Sequence, residues 1–289
     1  MNVDKWIDWI LNIFLSVAGL VAAWIILQVF VVCSFKIPSD SMEPALEPGD
    51  YVLVNKLLIG PRLFKLTDAL DGKRVTIYRV PGLHSIQRND VLVFHFPHPH
   101  TWEKIEMHLL KYYVKRCIGL PGDSVWIRNG YYRIGQRTDT LGNPAAQKRI
   151  SQTPPEMFAQ NVYRTFPFDS LLSWNIRQFG PLYLPKEGDE ITMNRTNYLL
   201  YKKVIEWEQQ AELSCRDSVV YLNQKPITCY RFQKNYYFMG GDNGENSQDS
   251  RYWGLLPEEY IVGKVWKIWK SIDPYTDEFR WDRFLKTVK

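Results

Sequence analysis

The feature that constrains this chain most is a run of 24 residues, Trp9 to Val32, that carries no formal charge. Only Asn12, Ser16 and Gln28 interrupt it, and at 1.5 Å rise per residue a helix of this length spans the hydrocarbon core of a bilayer. A cleavable secretory signal is the competing reading. Its apolar region would be about 7–15 residues long behind a positive leader, whereas here Lys5 is balanced by Asp4 and Asp8. A permanent anchor over residues 1–35 is therefore expected. Lys5 on one flank faces Lys36 on the other, so charge alone does not set its orientation. Trp6, Trp9 and Trp24 suit aromatic ends at a membrane interface or plain packing.

The remaining ~255 residues suffice for one large or two small domains with real cores. No second apolar span follows. Aromatic residues make up 15% of the chain and the net charge is only +5, which argues against nucleic acid as a partner and leaves at most a mild attraction to anionic lipid. The four cysteines, Cys33, Cys117, Cys215 and Cys229, form no CxxC pair and no zinc spacing. Only Cys215 and Cys229 are candidates for a disulfide, and a hairpin turning near Asn223 and Gln224 would not set them directly opposite one another.

Beyond the anchor the pattern is mostly strand. Tyr51 to Ile59, Asp90 to Phe96, Tyr112 to Leu120 and Ser124 to Ile134 are β-branched and aromatic runs punctuated by Pro-Gly, Asn-Asp or Asn-Gly turns. Strand patterns return in Ser218–Ile227, Arg231–Gly241 and Ile261–Trp269. Between them proline and polar residues increase, and Asn197 to Leu213 reads as a helix with Tyr201, Val204, Ile205 and Trp207 as its apolar stripe. The expectation is a mainly β fold: a β core over residues 36–134 and 216–289, with an inserted lobe over 135–215.

No GxSxG elbow, HExxH helix or GxxxxGK loop is present, which removes α/β-hydrolases, the common zinc proteases and the commonest nucleotide hydrolases. His95, His98 and His100 cluster, but the prolines between them deny a helix face and no carboxylate is interleaved; a polar loop after a strand is expected rather than a metal site. Two serines, Ser39 and Ser41, stand two apart in a Pro-bounded turn just past the anchor, in IPSDSMEPALEPGD (Ile37 to Asp50). A serine needs a base within hydrogen-bond reach, and no histidine lies near either in sequence. Lys115 sits in an apolar run beside Arg116, and strand alternation puts the two on opposite faces, so at least one of them is expected to point inward. A lysine facing solvent at a strand edge is the ordinary outcome. A buried one would be costly, yet desolvation is what a lysine base requires, because at its ordinary pKa of about 10.4 it is almost wholly charged near neutrality.

Three ordered blocks, IPSDSMEPALEPGD, YYVKRCIGLPGD (Tyr112 to Asp123) and GGDNGENSQDSRYWG (Gly240 to Gly254), together with the anchor, closely resemble the type I signal peptidases, membrane-bound serine endopeptidases that use lysine as the base. The resemblance covers the anchor, residues 36 to 130 and about 217 to 270. It implies Ser41 as nucleophile, Lys115 as general base, and the Ser39 hydroxyl with the Ser41 amide as oxyanion hole. It further implies Ser247 as the residue orienting the lysine, Asp249 with Arg251 as a structural ion pair, and Phe35, Ile37, Met42, Leu46, Tyr113 and Val114 as the walls of pockets for small side chains. Gly244 and Glu245 stand where the family often has arginine and aspartate, which alters the charge of that loop.

The function implied is removal of signal peptides from exported preproteins after an Ala-x-Ala type site, through an acyl-enzyme and without cofactor or metal. Preproteins and the lipid bilayer are the implied partners, and a monomer in the cell membrane, single-pass with its catalytic domain on the outer face, is the implied setting. Self-cleaving repressor-type proteases share a serine and lysine pair, but the anchor and the GDN block speak against them. A non-enzymatic membrane-tethered binding module would tolerate loss of Ser41 or Lys115.

Overall fold

The computed structural model describes residues 3–65, 67, 75–137 and 139–288. The first element is a helix, Val3–Ile26, continued by a π-helical turn, Leu27–Val31. The stretch Lys5–Val31 is long and apolar enough to cross a membrane, and its apolar window is not buried inside the protein. The turn's carbonyls are not left open: Lys56 Nζ donates to Gln28 O at 2.9 Å and to Val29 O at 3.0 Å, tying the helix end to the domain that follows.

The strands that follow are β1 (Val32–Lys36), β2 (Asp50–Asn55), β3 (Arg62–Leu63), β4 (Tyr78–Arg79), β5 (Val91–His95), β6 (Tyr112–Gly119), β7 (Ser124–Arg128), β8 (Tyr131–Ile134), β9 (Gln178–Tyr183), β10 (Glu190–Thr192), β11 (Leu213–Arg216), β12 (Val219–Leu222), β13 (Lys225–Ile227), β14 (Cys229–Arg231), β15 (Tyr236–Gly240), β16 (Leu256–Pro257) and β17 (Ile261–Ser271). Among the described residues, the largest sheet is antiparallel in the order β1-β2-β17-β5-β6-β15-β16. β5 shows why it lies inside: every one of its residues is buried. Val91 and Val93 pack on one face with Ile37, Met42 and Leu46, while Leu92 and Phe94 pack on the other with Ile118, Phe238 and Met239. A strand covered on both faces reads as a continuous apolar run, as VLVF does.

The segment 135–215 contributes to the larger of these two cores. β9 pairs with β7, and Phe179 and Leu182 join Ile118, Val125 and Phe238 in one apolar cluster. Its helix is shorter than the sequence suggests, Arg195–Gln209 instead of Asn197 to Leu213. Asn194 caps its start through Asn197 N, and Gln210 ends it in the left-handed region at φ 51°. Leu213 is then free to turn into β11, where it is fully buried. The strand expected over Tyr51–Ile59 likewise stops at Asn55, whose Oδ1 accepts from Leu58 N and bends the chain.

The hairpin at Asn223 and Gln224 forms as expected, both residues having positive φ. All four cysteines are free. Cys215 faces Val220 on β12 and Cys229 faces Thr192 on β10, so they belong to different sheets. The polar loop expected at His95 and His98 is a correction: both are buried. His95 Nε2 lies 2.9 Å from Arg62 Nη2, and His98 Nδ1 lies 2.7 Å from Lys104 O. Burial pushes both imidazoles down, to about 3 and about 4.

Candidate active site

The loop from Ile37 to Asp50 is closed at its base by two backbone hydrogen bonds, Ile37 N to Asp50 O at 2.8 Å and Gly49 N to Ile37 O at 2.9 Å. Ile37, Met42 and Leu46 are buried and pull the loop onto the smaller core. Its charged base is gripped from the C-terminal segment: Arg283 reaches Glu47 and Asp50, each at 2.6 Å, and Arg280 reaches Glu47 at 2.9 Å. With both ends held, Ser39 and Ser41 stand at the open side, their hydroxyl oxygens 3.4 Å apart.

β6 brings the lysine to them. Lys115 is 4% exposed, and its Nζ donates to Ser41 Oγ at 2.7 Å and to Val114 O at 3.0 Å. Removal from water pushes this ammonium down to about 8, with Arg251 acting in the same direction and Asp249 against it. An amine of that pKa is neutral in about a tenth of molecules at pH 7, some hundreds of times more than a free lysine, and can take a proton from the hydroxyl beside it.

Lys115 and Arg116 point to opposite faces of β6, as strand alternation requires, and both are buried. Arg116 goes to the opposite face, where it makes a two-pronged buried ion pair with Asp242 at 2.7 and 2.6 Å. Asp242 belongs to the block at 240–254, which also holds the serine loop directly. Asn243 N donates to Ser41 O at 3.1 Å, and Asn246 Nδ2 donates to both Asp40 carboxylate oxygens at 3.0 and 2.8 Å.

Asp249 and Arg251 form the expected ion pair at 2.6 Å, almost fully buried. Asp249 also caps the helical turn Ser250–Trp253 and accepts from Gly241 N at 2.8 Å. Ser247 is buried beside Gly241, where a Cβ would collide with its side chain and come within 2.8 Å of Ser41 O. Its hydroxyl makes no hydrogen bond among the described residues, so the contact expected from Ser247 to the lysine is not formed in this structure; the amine donates to Val114 O instead.

A cleft of about 410 Å³ opens in front of the pair. Of the six apolar residues expected in its walls, Phe35, Ile37, Met42, Tyr113 and Val114 line it. Leu46 does not; it is fully buried behind the loop, packed with Ile37 and Met42. Sequence reasoning missed Tyr112 and Gln248, which also line the cleft. The Tyr112 ring packs 4.7 Å from Phe35, and Tyr113 Oη donates to Gln248 Oε1 at 3.2 Å. It also missed Asp40, Asn243, Asn246 and the Arg116–Asp242 pair as holders of the loop. Asp242 and the two asparagines sit inside the third quoted block, but pairing across some 126 residues leaves no local pattern.

The family model for "Signal peptidase, peptidase S26" matches residues 6–270. The chain belongs to this family. Curated relatives include signal peptidase I of Buchnera aphidicola, 29% identical over 88% of this chain and 73% of its own length. Signal peptidase I of Pseudomonas aeruginosa is 30% identical over 86% of this chain and 68% of its own. A solved signal peptidase I from Enterococcus faecalis shares 18% identity, covering 63% of this chain and all but 2% of that one with a TM-score of 0.28. As a member of the signal peptidase family the chain is a serine peptidase that acts on signal peptides. The departure at Gly244 and Glu245 has a local reason. A Cβ on Gly244 would come within 2.8 Å of Ile150 Cδ1, and Glu245 faces Arg149 at 3.6 Å, so the loop is fitted to the helix Pro144–Gln152.

Proposed function

We propose that the chain is a membrane-anchored endopeptidase in which Ser41 and Lys115 form a catalytic dyad cleaving preproteins after small residues. The observation that carries this is the 2.7 Å contact between Lys115 Nζ and Ser41 Oγ, with the amine out of water and its pKa pushed down to about 8. When the amine is neutral the contact reverses and the hydroxyl donates to the nitrogen lone pair. Ser41 Oγ then attacks the scissile carbonyl carbon as its proton passes to Lys115. The resulting oxyanion accepts from Ser39 Oγ–H and Ser41 N–H. Collapse breaks the C–N bond, and the Lys115 ammonium returns its proton to the leaving amine. Lys115 next takes a proton from water, whose oxygen attacks the ester; collapse breaks the bond to Ser41 Oγ, which takes that proton back from the Lys115 ammonium. The chemistry calls for no cofactor. Ser247, whose buried hydroxyl has no other partner, turns to the amine once Lys115 is neutral and fixes its lone pair on Ser41.

The substrate binds as an added strand. β6 pairs with β15 only from Arg116 onward, so the residues from Tyr112 to Lys115 have an open edge facing the cleft. Phe35, Ile37, Met42, Tyr113 and Val114 then leave room only for small side chains at the first and third positions before the cut. The helix Val3–Ile26 anchors the enzyme in the cell membrane, the catalytic domain stands on the outer face beside emerging preproteins, and the working unit is a monomer. Residues 36–134 and 216–289 carry the chemistry, and residues 135–215 support it.

The test is to mix detergent-solubilised protein with a preprotein bearing an Ala-x-Ala site and map the new N-terminus by mass spectrometry. Cleavage after the second alanine by the wild type, and none by folded Ser41→Ala or Lys115→Ala, is expected. Substantial cleavage by either variant removes the dyad.

A further inference from the structure

We propose that Asn143, at the start of the helix Pro144–Gln152, is a positioning residue for Ser41, acting through the single peptide group between Asp242 and Asn243; this rests on Ser41 being the nucleophile. The two ends of that peptide are held from opposite sides. Its carbonyl, Asp242 O, accepts from Asn143 Nδ2 at 3.0 Å, and its N–H, on Asn243, donates to Ser41 O at 3.1 Å. A peptide polarised at its carbonyl is a better donor at its N–H, so the two bonds strengthen each other. The Ser41 carbonyl is thereby fixed from outside its own loop, and with it the torsions that aim Oγ at Lys115.

Asn143 is itself immobilised. Its Oδ1 caps the helix by accepting from Ala145 N at 3.0 Å, and Pro144 follows at the first helical position, a start signal legible in the sequence. One amide thus spends its oxygen on the helix and its nitrogen on the loop. The helix packs against the loop, Ile150 Cδ1 standing 2.8 Å from where a Cβ on Gly244 would be, and the Gln147 side chain accepts from Tyr132 N on β8 and donates to Leu141 O. The Asp242 side chain is held separately by Arg116. The Asn143 bond therefore sets the orientation of the backbone and leaves that ion pair alone. On this reading the segment 135–215 contributes to the rate without touching the substrate.

The experiment compares Asn143→Ser and Asn143→Asp with wild type in full-length protein, measuring kcat, KM, the pH midpoint of the rate and the thermal midpoint. Both substitutions keep an oxygen to cap the helix and remove the amide nitrogen that donates to Asp242 O; serine leaves only a shorter O–H, whereas aspartate has no donor and sets a charge against that carbonyl. The expected result is a kcat lowered roughly tenfold in serine, about what one neutral hydrogen bond is worth, and further in aspartate. KM and pH midpoint should stay at wild-type values, since neither the cleft nor Lys115 is altered, and the thermal midpoint should fall by no more than the few degrees one hydrogen bond is worth. Wild-type kcat in Asn143→Asp overturns the relay, as does a loss of kcat fully accounted for by a fall in thermal midpoint in both variants. Activity surviving in Ser41→Ala in the same assay overturns the dyad and the relay with it.

Discussion

Replacing Lys115 with methionine should abolish cleavage and at the same time change stability in a pH-dependent way, a gain at pH 7 that turns to a loss by pH 10. The folded protein sheds the Lys115 proton at about 8, against 10.5 for the free side chain. At about 1.36 kcal/mol per pKa unit, holding the charged amine in its buried site costs about 3 kcal/mol at pH 7. Methionine has a similar length and no charge to bury, so it escapes this cost. It forfeits the bonds to Ser41 Oγ and Val114 O, each worth about 1 kcal/mol net. That loss does not vary with pH, whereas the charge term does.

Between the two pKa values the unfolded wild type binds a proton that the folded form does not, so wild-type stability rises with pH relative to the variant. The charge term should shrink from about 3 kcal/mol at pH 7 to about 1 kcal/mol at pH 10. Denaturant unfolding of both proteins at the two pH values measures it, and the tyrosines and cysteines that also titrate cancel in the comparison. A stability difference between the two proteins that is flat from pH 7 to 10 would refute a buried, depressed Lys115.

The same pKa predicts that the cleavage rate of the wild type rises on the alkaline side with a midpoint near 8; a midpoint near that of free lysine would contradict the site, and Lys115→Arg should be inactive at every pH because guanidinium keeps its proton. Ile37→Ala and Val114→Ala should widen the cleft and admit larger residues at the cleavage site, since one or two methylenes are worth about 1–3 kcal/mol of discrimination; mass-spectrometric mapping of products that finds unchanged sites in both variants removes them from the pocket walls. Ser247→Ala should slow turnover by about 10- to 1000-fold with little change in stability, and Ser247→Thr should retain more activity. Wild-type turnover in the alanine variant would reduce Ser247 to a packing residue.

The sequence by itself determined the elements whose causes are local. A charge-free run of 24 residues had to become an exposed apolar helix, alternation placed Lys115 and Arg116 on opposite faces of β6, and Asn129-Gly130 and Asn223-Gln224 turned hairpins because they tolerate positive φ. The resemblance carried by the three ordered blocks paired Ser41 with Lys115. Only the tertiary structure decided what those residues meet. That Arg116 is buried against Asp242, that His95 and His98 lie inside, that Leu46 sits behind the cleft while Tyr112 lines it, and that Asn143 reaches the peptide beside Ser41 all depend on partners distant in sequence. The physical reason is that the register of a strand or the cap of a helix is set by neighbours within a few residues, whereas burial and hydrogen-bond pairing are set by which surfaces the folded chain brings together.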